Sequence, residues 1–173
     1  MIMRRARVVL LALAATLLAG CSFSFGSGPD YQKLEGMITE ELNKSYAGID
    51  QKVSSVNCPE QDPTPKNGDT FNCVANVDGT DVRVAVKVTS DEYDVSITTL
   101  DILFDLPDTA NKLGPEMSKQ LGFDVTVDCG EGLKAIETGK TFECQATDPN
   151  GVAKTVEVTA KEPGEGVTWK VLD

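Results

Sequence analysis

The sequence contains no histidine. That removes the imidazole of Ser-His-Asp and Cys-His catalysis and the commonest zinc ligand. Positive charge is scarce: 16 lysines and arginines stand against 27 aspartates and glutamates. Nucleic acid, which is held through basic patches, is therefore not expected as a partner. Adhesion to anionic lipid headgroups is not expected either. There is no Gly-x-x-x-x-Gly-Lys-Ser/Thr phosphate loop, and Gly164-Glu165-Gly166 reads as a turn. Aromatic residues make up 6%, with a single tryptophan. Trp169 alternates with Val167 and Val171, which places it in a core and not on a ligand platform. The apolar run Val8 to Leu18 is about 11 residues, short of the ~20 that a spanning helix needs.

That run has another use. Arg4, Arg5 and Arg7 precede it, and Leu18-Ala19-Gly20-Cys21 follows it. Positive, apolar and small-residue segments in that order read as a signal peptide over residues 1–20. The last four residues resemble the bacterial lipobox. That resemblance implies diacylglyceryl transfer to the Cys21 thiol and cleavage between Gly20 and Cys21. The competing reading is an ordinary secretory signal with an incidental cysteine. Lipidation would hold the chain on the extracytoplasmic face of the cell membrane, with residues 21–30 as a tether rich in serine and glycine. Losing the three leader arginines would leave 13 basic and 27 acidic residues, a net charge of −14. Such a charge favours a soluble, self-repelling domain.

Beyond Cys21 there are four cysteines, Cys58, Cys73, Cys129 and Cys144, separated by 15 residues within each pair. Val56-Asn57-Cys58 and Gly68-Asp69-Thr70-Phe71-Asn72-Cys73-Val74-Ala75 return as Val127-Asp128-Cys129 and Gly139-Lys140-Thr141-Phe142-Glu143-Cys144-Gln145-Ala146, 71 residues later. Two copies of one small unit are expected, over residues 31–100 and 101–173. An exported chain tolerates disulfides, and a unit that folds alone favours Cys58–Cys73 and Cys129–Cys144 among the three possible pairings. A four-thiolate metal site lacks the close Cys-x-x-Cys pair, as does a thioredoxin-like redox centre.

In the first copy, Leu34, Met37, Ile38, Leu42 and Ile49 recur at helical spacing, with Gly48 placed to end the helix. Four strand patterns follow, around Val56, Phe71 to Val77, Val82 to Val88, and Tyr93 to Ile97. Asp78-Gly79 marks a hairpin turn. The second copy repeats the order through Val127, Phe142 to Ala146, Val156 to Ala160, and Val167 to Val171, with Asn150-Gly151 as a turn. Its helix runs through Ala110, Leu113, Met117 and Leu121, but Gly114-Pro115 interrupts it and predicts a kink or a start at Pro115. Leu100 to Pro107 is expected to be an inter-domain linker, apolar enough to pack on one or both units. The fold class is thus α+β: two tandem small domains, each one helix packed on a four-stranded, mainly antiparallel sheet with one intradomain disulfide.

A helix, then Val56, Cys58 and Pro59, then Gly68, Thr70, Phe71 and Cys73, then an alternating valine strand, resembles the actinobacterial domain of unknown function 4333. The resemblance covers Leu34 to about Thr99 and, with Gly130 in place of the proline, Leu113 to Val171. It implies an envelope location and a small α+β fold, and supplies no activity.

No catalytic residue, metal site or cofactor is expected. Glu40-Glu41 and Asp91-Glu92 are carboxylate pairs that could serve as acid and base, or could be solvated surface groups. Asn76, Asp78 and Asp81, and Asp148 with Asn150, surround glycine turns. They do not fit a twelve-residue calcium loop, and turn chemistry accounts for them. The function expected is a non-catalytic envelope module that contacts the membrane through its lipid and binds an envelope protein or glycan. The alternative is a carboxylate-based hydrolase of cell-wall glycan.

Overall fold

A computed structural model describes residues 29–161 and 167–172. Helix α1 spans Tyr31–Tyr46, and Asp30 caps it by accepting the Lys33 N–H at 3.0 Å. Leu34, Ile38, Leu42 and Tyr46, four apart, form its buried stripe. Gly48 does not end it. A 3₁₀ turn over Ala47–Ile49 follows directly, and Asp50 takes the left-handed conformation at φ 53°. Aspartate tolerates that region better than most residues.

Strands β1 (Val53–Asn57), β2 (Thr70–Val77), β3 (Thr80–Val88) and β4 (Val95–Thr99) form one sheet in that order, antiparallel throughout. Period-two alternation puts Phe71, Cys73 and Ala75 opposite Val86, Val84 and Val82 on the buried face. Asp78 and Gly79 join β2 to β3 with both φ values positive, at 47° and 81°. That backbone suits the right-handed strand twist. A register shift between Val53 and Ser55 lets Val53 and Val56 both reach the core.

The second copy has strands β6 (Thr126–Asp128), β8 (Thr141–Thr147), β9 (Ala153–Ala160) and β10 (Val167–Val171), with sheet order β10-β9-β8-β6. Helix α2 runs over Leu106–Leu121 and passes through Pro115, so Pro115 neither starts nor interrupts it. Asp105 caps it through the Asp108 N–H at 2.9 Å, and Pro107 sits in the first turn, where its missing N–H costs nothing. Pro115 is tolerated because Gly114 has no Cβ for the proline ring to strike. Gly114 also lets β6 approach: a Cβ there would lie 3.3 Å from the Val125 carbonyl oxygen. Gly114→Val is expected to destabilise the second copy by about 1–3 kcal/mol, through overpacking, in urea unfolding.

Both helices hold their first strand in the same way. Asn43, thirteenth in α1, accepts the Val53 N–H at 2.8 Å. Ser118, thirteenth in α2, accepts the Val125 N–H at 2.8 Å. The expected pair of α+β units, each a helix on a four-stranded antiparallel sheet with its own disulfide, is what the chain forms.

Leu100 to Pro107 packs on both units, as its apolar residues lead one to expect, but it is not a linker. It forms strand β5 (Asp101–Asp105) and the first turn of α2. β5 pairs antiparallel with β7 (Leu133–Glu137), making a two-stranded ribbon. Leu103 enters the first core and Phe104 the second, so β5 is buried from both sides. Leu133 and Ala135 of β7 also lean on the first core, while its Ile136 belongs to the second. The ribbon therefore joins the two copies by packing, with β3 against both of its strands.

Candidate functional site

Residues 1–28, Gly20 and Cys21 among them, lie outside the described residues, as does Gly164-Glu165-Gly166. The four remaining cysteines pair as Cys58–Cys73 and Cys129–Cys144, each tying the chain just past a first strand to the middle of a second. Cys58, Cys73 and Cys144 are buried, and Cys129 is half-buried. Glu35 of α1 accepts the Cys58 N–H at 2.9 Å, which docks the first bridge on the helix.

The carboxylate pairs do not converge. Glu40 is exposed and bonded to Lys44 at 2.9 Å; Glu41, Asp91 and Glu92 are exposed. The glycine turns use their own polar groups. Asn76 donates to Asp81 at 2.8 Å and accepts from Gly79 N–H at 3.1 Å. Asp148 accepts from the N–H of Val152 at 2.8 Å and of Asn150 at 2.9 Å. Those backbone donors, Val152 first, hold the Asp148 carboxyl below its ordinary value. Among the described residues no three His, Cys, Asp or Glu side chains gather as a metal set. Trp169 is half-buried against the second core. No helix among the described residues is long and apolar enough to cross a membrane.

Charge chemistry concentrates instead at the junction of the copies. Asp101, at the start of β5, is the one charged side chain buried among the described residues, at 5% exposure. β4 ends at Thr99, and the Asp101 carboxylate then takes the Arg83 backbone N–H at 2.8 Å, standing in for a strand carbonyl. The Arg83 guanidinium grips the same carboxylate through Nε at 2.9 Å and Nη2 at 2.6 Å, and reaches Glu137 of β7 at 2.9 Å. β3 of the first copy is thereby tied to both strands of the ribbon. Burial pushes the Asp101 carboxyl up, but the Arg83 hydrogen bonds and charge outweigh it and hold the group below its ordinary value. Hydrogen bonds to Asp101 and then Glu137 push Arg83 higher still.

None of these three residues stood out from patterning. One signal was there: Arg83 is the only arginine after Arg7, against twelve lysines. A bidentate carboxylate grip needs the planar guanidinium fork that lysine lacks.

Tyr46 lies under the same junction. Its hydroxyl is buried with no hydrogen-bond partner among the described residues. Burial, and then the nearby Asp101 charge, push its ionisation up to about 12. A raised value means stability that is whole below pH ~10 and is lost as pH climbs toward the folded value. Tyr46→Phe removes an unpaired buried group and is expected to stabilise the fold by about 1 kcal/mol. In thermal melts it should also lessen the loss of stability above pH ~10.

Two surface depressions accompany this arrangement. One, of about 250 Å³, lies on the proline-rich loop of the first copy beside Asp62, Pro63, Pro65 and Phe71. The other, of about 240 Å³, opens between the copies, with Ile49 from the first facing Leu113 and Val167 from the second.

The model of a family described as a domain of unknown function, DUF4333, matches residues 15–92 and again residues 112–164. No curated protein and no solved structure matches the chain.

Proposed function

The chain belongs to the DUF4333 family and carries two tandem copies of its domain, and on that premise we propose that it is a non-catalytic binding module, held by lipid on Cys21 at the extracytoplasmic face of a cell membrane. The observation that carries this reading is the junction. The buried carboxylate, Asp101, is spent on Arg83 and on joining the copies, not aimed into a groove. A glycosidase would set two carboxyl groups about 5–10 Å apart across a substrate cleft. In the inter-copy cleft Asp105 caps α2, Asp108 is bonded to Lys112 at 2.6 Å, and Glu116 is contacted by Gln120 at 3.2 Å. Two units fixed to one another present their surfaces without paying ordering entropy on binding.

The test is intact mass of the protein purified from its native membrane, with and without reduction. The expected mass is residues 21–173 plus diacylglyceryl, rising by four hydrogens as two disulfides open. A mass without lipid removes the tether. Turnover of a cell-wall glycan by the purified chain would establish the hydrolase instead.

A further inference from the structure

We propose that the cleft between the two copies receives a single basic side chain, lysine or arginine, from a partner polypeptide. This rests on the binding-module reading and names the chemistry of its partner. The apolar lining is mainly aliphatic and drawn from both copies: Ile49 after α1, Leu103 of β5 with Phe104 beside it, Leu113 of α2 and Val167 of β10. At about 240 Å³ the cleft is smaller than the ~300–1,000 Å³ of ordinary small-molecule sites. It suits one long side chain.

The rim decides which side chain. Asp105, Asp108 and Glu116 supply three carboxylates, and Lys112 one ammonium already bonded to Asp108 at 2.6 Å. Asp105 spends one oxygen, Oδ1, on the helix cap. Glu116 takes the Gln120 amide on Oε1 at 3.2 Å, so an incoming cation meets the second oxygen of Asp105 and of Glu116, while its methylene stem lies on the apolar lining. Lysine and arginine bury their stems and keep their charged ends at the edge in this way. The net charge of −11 for the whole chain steers basic segments toward it.

The cleft exists only while the ribbon holds the copies together, because Ile49 comes from one copy and the rest of the floor from β5 onward. Binding at this site would therefore read out the junction as well as the surface.

The probe is the peptide acetyl-Leu-Lys-Leu-Arg-Leu-amide, compared with its counterpart bearing glutamate at both basic positions. It is titrated into the methyl-labelled full chain and followed by NMR. Saturable shifts are expected at the Ile49, Leu103, Leu113 and Val167 methyls with the basic peptide, weakening as salt rises. Glu116→Lys, and to a lesser degree Glu116→Gln, should lower the affinity, the first at least fivefold. Glu143→Lys, on the exposed face of the second sheet, should leave it unchanged. The inference is overturned by shifts elsewhere, by equal binding of the acidic peptide, by indifference to Glu116→Lys in a variant whose spectrum shows it folded, or by shifts at these methyls only with a chitin oligosaccharide. Capture of an envelope protein that ignores Glu116→Lys would overturn this inference and leave the binding-module reading standing. Turnover of a cell-wall glycan by the purified chain would instead remove the binding-module reading on which the inference rests.

Discussion

Arg83→Ala should cost about 2–3 kcal/mol at pH 7 and much less at pH 3. Removing one partner of a buried ion pair typically costs ~3–5 kcal/mol, because the other charge is left uncompensated. The lower figure applies here because the Arg83 side chain is 44% exposed, whereas that of Asp101 is 6% exposed. The sign of the pH dependence follows from the causes acting on Asp101. In the wild type its carboxyl is held below the ordinary value. Its contribution is present above pH ~4 and is lost as pH falls through the folded value. Alanine at this position keeps the backbone N–H bond to Asp101 but loses the side-chain bonds and the charge, so burial is opposed by the backbone bond alone and the carboxyl rises relative to the wild type. The variant therefore loses most of the stability that the wild type gains as pH rises through that range. Urea unfolding at pH 3, 5 and 7 should show the gap between the two proteins widening with pH. A gap of constant size would mean that Arg83 acts by packing alone. Arg83→Lys keeps the charge without the fork and should fall between them.

Cys129→Ala should cost about 3 kcal/mol, the chain-entropy value for a 15-residue loop, and leave Cys144 free. Cys58→Ala opens a loop of the same length and should cost a similar amount. The two differ in reach. The loop closed by Cys129–Cys144 contains β7, whose Leu133 and Ala135 pack on the first core and whose Glu137 bonds Arg83. The loop closed by Cys58–Cys73 contains the proline-rich segment, which takes no part in the ribbon. Hydrogen exchange should therefore show Cys129→Ala loosening β3 in the first copy beyond the loss of stability shared by the whole unit, while Cys58→Ala lowers protection in β8 and β9 only by that shared loss. Thiol counting that found no free cysteine in Cys129→Ala would contradict the pairing.

The parts of the fold legible in the sequence are those where one face is buried and the other wet. The valines of β3 and the Phe-Cys-Ala series of β2 and β8 alternate cleanly, and the 71-residue echo placed the disulfides. β5 was illegible because both its faces are covered. Ile102, Leu103 and Phe104 then form a continuous apolar run with no period to read. β7 failed for a related reason: its partner lies some 30 residues earlier, outside the repeat pattern. The helix through Pro115 was obscured because Gly114-Pro115 has the look of a helix breaker, although the glycine before the proline removes the clash. The junction pair of Arg83 and Glu137, 54 residues apart, carries no local motif at all. Only the choice of arginine at position 83, where every other basic residue after Arg7 is lysine, pointed to it.

The claim on which the rest depends is that the ribbon makes the two copies one folding unit. Differential scanning calorimetry of the wild type and of Arg83→Ala tests it most directly. A single transition is expected in the wild type, with calorimetric and van't Hoff enthalpies equal, and Arg83→Ala should lower its midpoint or split it. Two independent transitions in the wild type, with only the first moved by Arg83→Ala, would show two separate beads and contradict the claim.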